Sequence, residues 1–86
     1  MKNTDFEGRG LLYNNPLTMM VPQRVWPAME QLIQETKSVY PDCCFDQKGI
    51  MYRAICPIES DFAACYWYIG QLYAHMISPL LKQNLR

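Results

Sequence analysis

Residues 62–81, FAACYWYIGQLYAHMISPLL, contain no Asp, Glu, Lys or Arg, although the 86-residue chain carries sixteen of them. A chain this short buries only about 60 to 65% of its unfolded surface, so its interior is one layer between secondary elements. Wherever this segment goes, it takes most of that layer. On a helical wheel Phe62, Cys65, Tyr66, Ile69, Leu72, Tyr73, Met76 and Leu80 form one stripe, enough to seat a helix on a sheet. The other side carries Ala64, Trp67, Tyr68, Gln71, His75 and Ser78, which such a layer has no room to cover.

The cost of leaving that side wet decides what the segment means. Burying a large side chain contributes roughly 1.5 to 3 kcal/mol, so exposing both Trp67 and Tyr68 forgoes about 3 to 6 kcal/mol. Total stability for this length is about 4 to 13 kcal/mol. A membrane span fits the length but not the content, because Gln71, His75 and Pro79 interrupt it and its Trp and Tyr rings sit in the middle rather than at the ends. Two explanations remain. Either the helix lies in a groove covered by Trp26 and the run at 11–13, or its outer face is an interface, where Trp, Tyr and Met are enriched and charges depleted. The interface is the stronger expectation, and two copies crossing about a two-fold axis are its simplest form.

The rest of the chain supplies the partner elements. Apolar runs at 11–13 and 17–21 are separated by Asn14, Asn15 and Pro16, strong turn formers, which predicts a hairpin or bent strand whose first half is weak. A one-faced helix follows, with Met29, Leu32, Ile33, Thr36 and Val39 or Tyr40 at helical spacing. Pro27 fits only a first turn, so that helix starts between Arg24 and Trp26, and Pro41 ends it. Residues 42–57 read as two strands around a Gln47-Lys48-Gly49 loop, pairing Asp46 with Ile50 and Cys43 with Arg53. The closing helix has Ser60 as its cap and Glu59 and Asp61 where the dipole favours anions. Lys82 and Arg86 sit where it favours cations, and Pro79 kinks or breaks it near Ile77. The expected fold is therefore α+β in the order β-β-α-β-β-α. It is one domain over residues 1–86, with a small antiparallel sheet, two helices on one face, and loose ends at 1–9 and 82–86.

Charge and cysteine content restrict the chemistry. Eight basic residues balance eight acidic ones with no basic stripe, which argues against nonspecific nucleic-acid binding. A dispersed set of Arg9, Arg24, Trp26, Lys48, Tyr52 and Arg53 would serve only if the fold gathered it. The N-terminus lacks the apolar run of a signal peptide, so a cytoplasmic chain starting at Met1 is expected, with Cys43, Cys44, Cys56 and Cys65 all thiols outside any disulfide. Their spacing is not that of paired zinc knuckles, and the expected hairpin register keeps Cys43 and Cys56 about 10 Å apart. No metal or cofactor is expected. His75 lies about 15 Å along the helix axis from Cys65, too far for a nucleophile–base pair, and the acidic residues read as caps or solvated faces.

These features exclude a recognisable enzyme and favour a small interaction module of the inhibitor, adaptor or regulatory-subunit type. Its contact face is Ala64, Trp67, Tyr68, Gln71, His75 and Ser78, and its partner is a second copy or a heterologous protein. The competing expectation is a small-ligand or nucleotide binder with a pocket lined by Trp26, Tyr66 and Tyr73 between helix and sheet.

Overall fold

The computed structural model describes residues 12–59 and 61–83. Elements follow in the order β1 (Leu17–Met20), a 3-10 turn (Gln23–Val25), α1 (Trp26–Val39), β2 (Cys44–Lys48), β3 (Met51–Ile55), α2 (Phe62–Leu72), a π-helical turn (Tyr73–Ile77) and α3 (Ser78–Lys82). The strands form an antiparallel sheet in the order β1-β3-β2. Both helices pack on the sheet face that carries Met19, Tyr52, Ala54 and Phe45, around Met29, Leu32, Cys65, Ile69 and Ile77. This is the expected α+β arrangement. The run at 11–13 does not add a strand where it is described: Leu12 makes an isolated bridge to Pro57, and the Tyr13 N–H donates to the Cys56 carbonyl. Leu11 lies outside the described residues.

The hairpin departs from expectation in a way that reorganises the site. Lys48 pairs with Met51, Asp46 with Arg53 and Cys44 with Ile55, so the loop is Gly49-Ile50 and the register is shifted by three from a 47–49 loop. Gly49 has φ +60°, and no other described residue has a positive φ. A positive φ at only the first central residue belongs to a type II′ turn, whose twist suits a two-residue hairpin. The expected register would also have set Arg53 beside Cys43 on the core face. An odd slip exchanges the faces of a strand. The observed pairing places Tyr52 and Ala54 inward and sets Arg53 across from Asp46, with which it forms an ion pair.

The helices follow local chemistry closely. α1 begins with Pro27 in its first turn and stops before Pro41; Met29, Leu32 and Thr36 are its buried face. The Thr36 hydroxyl donates to the Leu32 carbonyl at 2.9 Å, which lets a polar residue sit in the core. α2 is capped by Asp61, whose side chain accepts from the Ala64 N–H at 3.2 Å. Ser60, the expected cap, lies outside the described residues, as does Arg86. Pro79 does not end the helix, but regular α-helix is interrupted just ahead of it, next to the expected position at Ile77. The proline occupies the first turn of α3, and the turn before it widens so that the Ser78 N–H reaches the Tyr73 carbonyl. The extra residue in that turn rotates everything beyond it by roughly 100°. Ile77 therefore falls in line with Ile69 and is fully buried, where an unbroken α-helix would have placed Met76.

Candidate functional site

Two adjoining features stand out: the outer face of α2 and a cysteine cluster beneath its first turn. On the outer face Trp67 is 66% exposed, the most exposed large apolar side chain among the described residues. Tyr68 is half-buried, its ring 5.6 Å from that of Tyr40 at the end of α1. Ala64 is half-buried, and Gln71 and His75 are exposed. His75 Nδ1 lies 2.8 Å from the Gln71 carbonyl and donates to it in the tautomer that carries hydrogen there. Ser78 is half-buried and Pro79 exposed, because the wide turn rotates the outer line by one residue. The expected contact face is thus continuous from Ala64 to His75 and drifts off at Ser78.

Cover from the N-terminal segment reaches a different part of the helix. Tyr13 stacks on Phe62 with ring centroids 4.1 Å apart and lies 6.0 Å from Tyr66. That shields the start of α2 and leaves Trp67 in water.

The alternative ring set is drawn into structural roles. Trp26 Nε1 donates to the Val21 carbonyl at 2.8 Å, and its ring meets Tyr52 edge-on. Tyr73 donates to the Met20 carbonyl at 3.0 Å, whereas Tyr66 donates to Asn15 at 3.3 Å. Two of these anchors lie at one end of β1 and the third before its other end. The basic set is similarly dispersed. Arg24 donates to the Leu80 and Leu81 carbonyls, a cation at the end of α3, and Arg53 is paired with Asp46. Arg9 lies outside the described residues.

The cysteine cluster follows from the hairpin register. With Cys44 opposite Ile55, Cys43 comes beside Cys56, and Cys65 points at both from the inner face of α2. Cys56 and Cys65 form a disulfide, correcting the expectation of four thiols. The Cys43 thiol lies 3.4 Å from the Cys56 sulfur, where a separation of about 10 Å was expected. All three sulfurs lie within 4.8 Å of one another, and all three residues are buried. Cys44, next in sequence, turns to the opposite sheet face, as strand alternation requires. Burial pushes the Cys43 thiol up to about 12, with Cys44 adding to the shift and Lys37 opposing it. A cavity of about 180 Å³ reaches the cluster, lined by Val39, Tyr40, Pro41, Asp42 and Pro57 as well as the three cysteines. The sequence signal for this site was the parity of Cys43 and Cys56 about a two-residue Gly49-Ile50 turn. Cys65 became part of it only through helix docking.

Among the described residues no helix is long and apolar enough to cross a membrane. Comparison with known proteins finds no matching family model, no matching curated protein and no matching solved structure.

Proposed function

We propose that the chain is a non-catalytic protein-binding module that associates through the outer face of α2, in its simplest form as a homodimer about a two-fold axis. The observation that carries this is Trp67, 66% exposed in the middle of a helix whose sequence holds no charge. A second copy suits that face because an uncharged surface meeting itself incurs no like-charge repulsion, and Trp67, Tyr68, Gln71 and His75 supply both rings and hydrogen-bonding groups. The chemistry nearby favours binding over catalysis. Cys43 holds its proton to about pH 12, which leaves little thiolate to act as a nucleophile. His75 is on the exposed side of the helix, bonded to Gln71. Such a module would serve as an inhibitor, adaptor or regulatory subunit.

Light scattering across a concentration series tests the proposal. The wild-type chain is expected to approach twice the monomer mass at high micromolar concentration, and Trp67→Glu to remain a folded monomer. A wild-type chain that stays monomeric throughout overturns the homodimer.

A further inference from the structure

Three buried sulfurs converging from a strand end, a second strand end and a helix have more uses than one covalent bond. One use is an exchange relay in which the Cys43 thiolate attacks Cys56 and expels Cys65. Attack on a disulfide proceeds opposite the leaving sulfur. That alignment would hold the Cys43 and Cys65 sulfurs about 5.4 Å apart, the sum of the observed contact and a bond of about 2.05 Å. They lie within 4.8 Å, so the three sulfurs form a bent, triangular group rather than a line. A triangle is what a metal ion requires. Three thiolates bound to one tetrahedral Zn²⁺ at about 2.3 Å are about 3.8 Å from one another. The Cys43–Cys56 separation is already 3.4 Å.

We propose that, with the Cys56–Cys65 bond reduced, Cys43, Cys56 and Cys65 form a three-thiolate site for a thiophilic dication of the Zn²⁺ class, its fourth position facing the adjoining cavity. Reduction needs a dithiol, which gives two electrons and two protons to the pair and becomes a disulfide itself. Binding then forms three S–metal bonds as three thiol protons leave to solvent. The ligand set suits a soft or borderline ion, because all three protein donors are sulfur. The cavity of about 180 Å³ between Tyr40, Asp42 and Pro57 gives the ion a way in and room for a water as fourth ligand. The charge balance is tolerable: three thiolates and a dication leave one negative charge, and Lys37 is close enough to act on Cys43. Oxidation of Cys56 and Cys65 removes two of the three ligands, so the same cluster is either a disulfide or a metal site.

The test uses the full chain, reduced with a dithiol and freed of it without air, then titrated with Cd²⁺ as a spectroscopic probe. Thiolate-to-cadmium absorption is expected to saturate at one ion per chain. Cys43→Ser, Cys56→Ser and Cys65→Ser should each weaken binding by more than the roughly 10- to 100-fold that loss of an outer-shell partner costs. Cys44→Ser should bind as the wild type does. Because a serine in the core can unfold the domain, alkylation of the reduced wild-type chain is read in parallel by mass. One equivalent of Zn²⁺ should protect Cys43, Cys56 and Cys65 and leave the labelling rate of Cys44 unchanged. Absence of saturable absorption, equal weakening by Cys44→Ser, or protection that does not single out these three residues would overturn the site.

Discussion

Among the described residues one buried side-chain polar atom lacks a hydrogen-bond partner, and it belongs to Tyr52. Its ring is 2% exposed in the centre of the sheet and meets Trp26 edge-on, yet its hydroxyl is buried with no hydrogen-bond partner. An orphaned buried donor costs roughly 1 to 3 kcal/mol. Tyr52→Phe keeps the ring and removes the orphan, so it should raise the unfolding free energy by about 1 kcal/mol, read by urea denaturation at neutral pH. The same substitution should change behaviour in alkali. Burial, and after it Glu30, raises the Tyr52 phenol above its ordinary 10.0. As pH climbs past 10.0 the unfolded chain loses this proton while the folded chain keeps it. The unfolded state then binds fewer protons, and stability falls as pH rises. The advantage of Tyr52→Phe over the wild type should therefore widen above pH 10.0 and stay constant below it.

At the scale of elements, the hairpin turn decides more than its two residues suggest. Gly49 at φ +60° fixes a two-residue loop, the loop fixes the register, and the register sets Cys43 beside Cys56 and Asp46 across from Arg53. A Cβ at position 49 meets nothing within 4 Å, so Gly49→Ala tests the backbone alone. It should destabilise the domain by about 1 kcal/mol, the cost of holding a residue with a Cβ in the left-handed region. Its unfolding m-value should stay that of the parent, since the same surface is exposed. The other element-scale decision is the wide turn before Pro79. The periodicity of 62–80 places the inner stripe correctly as far as Tyr73. Beyond it the extra residue makes Ile77 the fully buried position, with Met76 and Leu80 packed half-buried against the core beside it, and carries Ser78 off the outer line. A wheel of constant pitch cannot represent that rotation.

For the whole molecule, the balance between one thin core and a ring-rich closing helix is met in two ways. Tyr13 covers Phe62 and Tyr66, Tyr40 half-covers Tyr68, and Trp67 is left outside. If a second copy buries Trp67, folding and association are linked, and the wild-type melting temperature should rise with protein concentration. Trp67→Glu should melt at one temperature whatever the concentration, as scanning calorimetry over a hundredfold dilution would show. The sequence by itself determined α1, the stripe of the closing helix up to Tyr73, and the α+β class, because periodicity, prolines and charge placement act within a few residues of where they are written. Only the tertiary structure decided the hairpin register and the meeting of Cys43, Cys56 and Cys65. Competing turns differ locally by little, and what separates them is which face of β3, with Tyr52 and Ala54 or with Arg53, the helices will accept.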